Sequence, residues 1–423
     1  MGRKILNIEL SADKRRLLEN FFSLLVLQGA NYILPLITLP YLVRVLGPEK
    51  FGLIAFAQAF IQYFNILTDY GFSLSATREV SIHRDNKEKL SEIFSSVMII
   101  KFALLILSFM IMTIIVFSFE KFKKDWLVYY LTFGVTIGQV LFPVWFFQGM
   151  ERMKYITIIE FSIRIFFIVL IFCFIHNVSD FWKVPLLRSL GYILGGLLSI
   201  WIVFKEFKIN FAFKINIDYF KRSNILFFSQ ASTTLFNEIV TLLGGFFFNY
   251  MLLGYYKIAE NLFVAIRNLF GICFRTMYPY FSKNINEFEK SKKKVFISVL
   301  FLSFFVSIIS IISSRKVIFI LFNFNNDIII KIFITLAIAL FFSGNNIMFF
   351  TMWFLILRLD KIFFKIVTVG GILNIILILS FTFIFKFGIL SLSSSILGTE
   401  MFLTFMYIVV FLKKSKVYQI TNG

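Results

Sequence analysis

A chain of 423 residues that is 59% hydrophobic and only 16% charged, with a mean hydropathy of +0.85, has too little polar surface for a soluble protein of its size. Two cysteines, both inside apolar runs, imply no disulfide framework. The 43 basic and 23 acidic residues leave a net charge of +20, which would suit nucleic acid, but their placement along the chain argues against that partner.

The apolar residues come in unbroken runs rather than at amphipathic spacing. Backbone polar groups in lipid must be satisfied within the segment, so runs of about 20 residues predict helices. The dyad alternation of a transmembrane β-barrel is not visible. Spans are predicted near 20–43, 51–76, 94–118, 126–148, 156–177, 182–204, 224–249, 254–279, 295–313, 328–357, 363–385 and 389–412. The fold class is thus an all-α polytopic membrane protein with about twelve transmembrane helices.

Taken in order, the first run is too long for a cleavable signal peptide and holds Pro35 and Pro40, which predict a kink there. Asp69 lies near the inner end of the second span. Lys101, in the third, is expected to snorkel to the headgroups. The fifth carries Glu160 and Arg164 at i, i+4, and the sixth carries Arg188 beside the small-residue run Gly191, Gly195, Gly196. The seventh holds the stripe Gln230, Thr234, Glu238 and Thr241. In the eighth, Glu260, Arg267, Gly271 and Arg275 recur at spacings of 7, 4 and 4, along one broad helix face. The tenth is long enough to tilt or break, and Glu400 sits near the centre of the twelfth. His83 and His176 have no ligand partners, so no metal site is expected, and no Walker loop or dinucleotide fingerprint occurs.

Orientation follows from the cations. The N-terminus (Arg3, Lys4, Lys14, Arg15, Arg16), the even-numbered loops (for example Arg78, Arg84, Arg152, Lys205, Lys290, Lys292, Arg358) and the C-terminus (Lys413, Lys414, Lys416) hold most of them. The odd-numbered loops hold far fewer, among them Arg44, Lys50, Lys257, Arg315 and Lys316. Both termini are therefore expected in the cytoplasm, and contact with anionic lipid accounts for the excess charge.

The longest polar stretch, 205–223, divides six spans from six, giving lobes 1–212 and 213–423. A shift of 202 residues lays Gln28 on Gln230, Gly52 on Gly254, Ala57 on Ala259 and Gln58 opposite Glu260. Few other positions match. An even number of spans per copy makes these parallel pseudo-repeats, with a substrate path expected between the halves.

Ionisable side chains within a span are costly unless they meet a partner or a cavity. Glu260 and Arg267 are either an internal ion pair or, for Arg267 with Arg275, part of a hydrated cationic cavity. A guanidinium donates in pairs to pyrophosphate or carboxylate, so Arg267, Arg275, Arg164 and Arg188 are candidates for an anionic headgroup, although Arg164 and Arg188 could equally snorkel.

Several stretches carry a family resemblance. Leu27-Gln-Gly-Ala-Asn-Tyr-Ile-Leu-Pro-Leu-Ile-Thr-Leu-Pro40-Tyr-Leu-Val-Arg44-Val-Leu-Gly-Pro48 continues through Gly52, Gln58 and Asp69-Tyr-Gly71 to Ala76-Thr-Arg78-Glu79. Pro143-Val-Trp-Phe-Phe-Gln148-Gly149-Met-Glu-Arg152 and Gly254-Tyr-Tyr-Lys-Ile-Ala-Glu260 follow. The sequence resembles the polysaccharide repeat-unit flippases of the multidrug/oligosaccharidyl-lipid/polysaccharide exporter superfamily. The resemblance implies a MATE-like fold of two six-helix lobes and alternating access. It implies transfer of undecaprenyl-pyrophosphate-linked oligosaccharide (O-antigen or capsule repeat units) across the bacterial inner membrane. Arg78, Gln148 and Arg152 are the implied cytoplasmic intake, with a tight turn at Gly149 as the alternative reading. Asp69, Glu238, Glu260 and Glu400 are candidates for coupling to protons or Na+, with no other cofactor. Partners implied are the lipid-linked oligosaccharide, membrane lipids, and a repeat-unit polymerase with its chain-length regulator. A drug or cation antiporter of the same superfamily is the main alternative, and its pocket would be acidic or apolar. A peptidoglycan-precursor flippase would carry two further helices. A membrane-embedded glycan polymerase or ligase would need a large outer loop with acid/base residues, whereas the longest here, near 314–327, offers only Asp327; the chain is not expected to be an enzyme.

Overall fold

The computed structural model describes residues 12–211, 216 and 218–421. The described residues are almost entirely helical and hold no strand. In chain order the helices are α1 (Ala12–Asp69), α2 (Phe72–Ile82), α3 (Lys87–Ser118), α4 (Glu120–Lys123), α5 (Trp126–Leu141), α6 (Val144–Gly149), α7 (Met153–Phe174) and α8 (Lys183–Phe207). Then come α9 (Asp218–Phe247), α10 (Tyr250–Lys283), α11 (Ile285–Phe322), α12 (Asp327–Asn345), α13 (Thr351–Ile356), α14 (Asp360–Leu379) and α15 (Leu390–Thr421). Among the described residues, nine helical stretches are long and apolar enough to cross a membrane. α10 is long enough too, but its charged residues keep it out of that set.

The helix ends follow ordinary chemistry. Side chains of Asn86, Asn249 and Asn326 cap α3, α10 and α12 by accepting first-turn amide hydrogens. Asn323, at φ 60°, closes α11. Large apolar side chains face outward: Ile312 is 76% exposed and Ile384 72%, as expected where the solvent is lipid.

The dihedral break in α1 falls at Gly47 (φ 74°, ψ 165°), between the first and second predicted spans. Only glycine enters that region without strain, so the turn between those spans belongs to Gly47. Two expectations need correction. The outer loop placed at 314–327 shrinks to residues 323–326, because α11 continues through Arg315 and Lys316 and Arg315 reaches Asp327 at 3.4 Å. Lys257, assigned by its charge to a loop, lies two turns inside α10.

The helices group into two compact units. One comprises Met1–Thr38 and Ala57–Leu235. Its core gathers Phe72, Val80, Phe94, Trp145, Phe146, Phe147 and Ile159, so the aromatics of the Trp-Phe-Phe-Gln-Gly stretch are packing residues. α8 packs against α5 and α7 through glycine. A Cβ on Gly195 would strike the Ile163 side chain, and one on Gly196 would crowd Leu141 and the Gly138 carbonyl. Small residues let helix backbones approach where no hydrophobic effect drives association.

The other unit comprises Leu39–Phe56 and Phe236–Gly423. Arg44 caps α11 there, its Nε donating to the Leu321 carbonyl at 2.7 Å and its Nη2 to that of Ile320 at 2.6 Å. A cation on the last carbonyls of a helix satisfies them and opposes the macrodipole. In the same unit the 202-residue offset reappears in space. A Cβ built on Gly52 would overlap the Tyr250 carbonyl, and one built on Gly254 would overlap that of Pro48. Gly52 and Gly254 are related by the offset, and so are Pro48 and Tyr250.

Candidate functional site

Among the described residues, polar clusters built on ion pairs lie within otherwise apolar helices. The first belongs to the unit built on Ala57–Leu235. Lys101, expected to snorkel, is instead 4% exposed and pairs with Asp69 at 3.4 Å. Asp69 closes α1 and its Oδ2 also accepts the Ser73 amide at 3.4 Å. The ammonium stays inside because a carboxylate is within reach, whereas the headgroup region would require it to leave α1. One turn before Asp69, Asn65 donates to Gln62 at 2.8 Å and accepts from Thr136 at 2.6 Å, continuing the polar strip.

The second cluster lies at the start of α10. Lys257 pairs with Glu260 and donates to Thr241 Oγ1 at 3.3 Å; Tyr256 donates to Glu260 Oε1 at 3.0 Å. Glu238 acts electrostatically on both Tyr256 and Lys257. Glu260 therefore pairs with Lys257, not with Arg267. The side chains of Gln230 and Thr234, predicted on the same stripe as Glu238, lie outside the described residues.

The third cluster joins α10, α12 and α15. Arg267 Nη2 donates to Glu400 Oε1 at 3.1 Å, and its Nε donates to Ser343 Oγ at 2.8 Å. Asn346 opens a π-helical turn, Asn346–Phe350, inside the predicted tenth span, and its Nδ2 donates to Glu400 Oε2 at 2.7 Å. Such insertions interrupt the regular ladder and recur at functional sites. One turn beyond Arg267, Gly271 has no atom within 4 Å of where a Cβ would stand, and Arg275 beyond it is exposed. That face of α10 carries two guanidinium groups flanking an open gap.

The other candidates are spread over the first unit. Arg164 pairs with Glu160 at 3.5 Å, both half-buried, and Arg188 is half-buried on α8. Gln148 accepts from Thr77 at 3.4 Å, Arg78 is exposed and Arg152 is half-buried. Gly149 sits on α2, where a Cβ would strike Val80, and its carbonyl accepts from Arg84 Nε at 2.6 Å. Arg84 also pairs with Glu151 at 2.8 Å, so the turn after α6 is clamped to the end of α2.

Sequence reasoning did not single out Ser343, Asn346 or Thr404, and it did not foresee that Asp69 pairs with Lys101 or Glu260 with Lys257. A signal existed in Ser343-Gly-Asn-Asn346, four small or polar residues in mid-run.

Fold and site together define a multi-pass, all-helical membrane protein with charged side chains held inside its bundles. Residues 17–285 match the family model described as polysaccharide biosynthesis protein, and the chain belongs to that family. A candidate O-antigen transporter of Escherichia coli (strain K12) is 29% identical over 280 residues, covering 65% of this chain and 67% of that one. Another, from Shigella dysenteriae, is 26% identical over 283 residues, covering 66% and 70%. Among solved structures, a multidrug resistance MATE family transporter of the MOP superfamily, in an inward-facing conformation, aligns with a TM-score of 0.69 at 12% identity over 93% of this chain and 97% of that one. The lipid II flippase MurJ, in an inward closed conformation, aligns with a TM-score of 0.68 at 17% identity over 94% of this chain and 87% of that one. At these identities the structural likeness speaks for the fold alone.

Proposed function

We propose that this protein flips undecaprenyl-pyrophosphate-linked oligosaccharide repeat units from the cytoplasmic to the outer leaflet of a bacterial inner membrane by alternating access. The family and the relatives named for O-antigen transport support the class of substrate. The observation that carries the reading is the face of α10, where Arg267 and Arg275 flank the open position at Gly271. Guanidinium suits a pyrophosphate because its planar fork donates in pairs, and an acidic or apolar pocket for a cationic drug would not present it.

The remaining parts of the reading follow from charge and register. Both termini lie in the cytoplasm, by the cation bias of the loops. The repeats run 1–212 and 213–423, by the polar stretch 205–223 and the 202-residue offset that relates Gly52 to Gly254. Arg164 and Arg188 extend the anionic path, and Arg78, Gln148 and Arg152 receive the headgroup at the cytoplasmic side. Asp69, Glu238 and Glu260 are the carboxylates available to couple transport to protons or Na+. No bond is made or broken in the substrate, so the protein acts as a transporter rather than an enzyme. A repeat-unit polymerase and its chain-length regulator would take the product on the outer face.

In a strain lacking the chain, lipid-linked repeat units are expected to accumulate on the inner leaflet and surface polysaccharide to disappear. The full-length protein should restore it; the Arg267→Gln/Arg275→Gln variant should not, despite normal membrane levels. Unchanged surface polysaccharide in the deletion strain would contradict the reading, as would full rescue by the double variant.

A further inference from the structure

A guanidinium that is to grip a pyrophosphate must be held in one plane, because an arginine side chain otherwise samples many rotamers. Arg267 is held on two edges, by Ser343 Oγ at Nε and by Glu400 Oε1 at Nη2. Those bonds use two of its five N–H donors. The side chain is 41% exposed, so the remaining donors have a way outward, whereas Glu400 is 7% exposed and faces protein.

Glu400 is itself fully engaged. Its second oxygen accepts from Asn346, and the Asn346 Oδ1 accepts in turn from Thr404 Oγ1 at 2.9 Å. Thr404 lies one turn beyond Glu400 on α15, and its single hydroxyl hydrogen is shared between Asn346 Oδ1 and the Glu400 carbonyl, also at 2.9 Å. Thr351 takes up the Asn346 carbonyl at 2.8 Å, within the π turn that brings the amide to the carboxylate. Both Glu400 carboxylate oxygens and both ends of the Asn346 amide have partners, as a network that fixes geometry requires. A carboxylate tied down at both oxygens is built to hold something still. A group that must release and regain an ion on each cycle needs a free oxygen and a path to water.

We propose that Glu400 is a positioning residue for Arg267, with Ser343 and Asn346 as its supports, and that it is not the carboxylate that couples transport to an ion gradient. This rests on the reading of Arg267 as a headgroup ligand. Glu400 sets the guanidinium plane and offsets part of its charge, while the outward N–H groups meet the phosphate oxygens of the substrate. Lysine at position 267 could not replace it, because a point-like ammonium cannot bond Ser343, Glu400 and a phosphate in one fixed fork.

The test is a double-mutant cycle on the full-length protein in lipid nanodiscs, with undecaprenyl pyrophosphate as the probe. Arg267→Gln is expected to weaken binding by roughly thirty-fold and Glu400→Gln by about ten-fold, the scale of one charge-assisted hydrogen bond. The double variant should bind no more weakly than Arg267→Gln alone, because Glu400 acts only through the guanidinium. Arg267→Lys should not restore the affinity. Wild-type affinity in Arg267→Gln would overturn the headgroup reading itself. Weak binding by Arg267→Gln with wild-type or tighter binding by Glu400→Gln would leave that reading standing and overturn the positioning role. Additive losses would do the same, since they would place the effect of Glu400 in the fold. In vesicles, Glu400→Gln flux that no longer responds to collapse of an ion gradient that drives the wild type would also overturn it.

Discussion

Gly52→Ala and Gly254→Ala should each destabilise the protein by at least about 2 kcal/mol, although alanine normally gains about 1 kcal/mol over glycine within a helix. Each new methyl would overlap a backbone carbonyl, that of Tyr250 or that of Pro48. Overpacking costs about 1–3 kcal/mol when side chains can shift, and a helix carbonyl has no rotamer to move to. The contact is reciprocal, so the second substitution should cost less than the first: once one methyl has pushed the backbones apart, the other finds room. Thermal unfolding of the purified single and double variants in one detergent checks both points. Gly271→Ala is the control, since nothing stands within 4 Å of its added carbon and the helix should gain or hold stability.

The second large effect is expected at Lys257. Its side chain is 18% exposed and that of its partner Glu260 12%, with the Glu238 carboxylate acting on the same ammonium. Lys257→Met would leave the Glu260 carboxylate in a nearly dry site without its ion-pair partner. Removing one partner of a buried pair costs about 3–5 kcal/mol, because the remaining charge is uncompensated. Removing both charges is far less costly, so Lys257→Met/Glu260→Gln should regain most of the lost stability. A double variant as unstable as Lys257→Met would place the damage elsewhere, for instance at Glu238. The comparison is again thermal unfolding, with protein yield from the membrane as a second measure.

Much of this architecture is legible in the sequence. Long apolar runs mean helices in lipid whatever their tertiary neighbours, so the fold class and most of the spans follow from hydropathy alone. What hydropathy misplaces are charges near span edges. Lys257, Arg315 and Lys316 look like loop residues by type, yet each lies inside a helix: Lys257 pairs with Glu260, and Arg315 reaches Asp327 across the α11–α12 turn. Lys101 is the same error in another form, since nothing in a linear reading brings Asp69 beside it.

The candidate site divides in the same way. The helical period alone places Arg267, Gly271 and Arg275 on one face of α10. The pairing of Arg267 with Glu400 joins α10 to α15 across 133 positions, and no local pattern announces it. The offset relating Gly52 to Gly254 is visible as a weak internal match, but only the structure turns the match into a contact.

The most direct measurement uses sealed vesicles holding the full-length protein and an undecaprenyl-pyrophosphate-linked oligosaccharide confined to one leaflet. Exposure of the sugar on the opposite face is followed by an added glycosidase that cannot cross the membrane. The protein should bring the sugar within reach of the glycosidase, and the Arg267→Gln/Arg275→Gln variant should fall to the level of protein-free vesicles. Protection unchanged by the wild-type protein, in vesicles where the same preparation moves a cationic drug, would contradict the account.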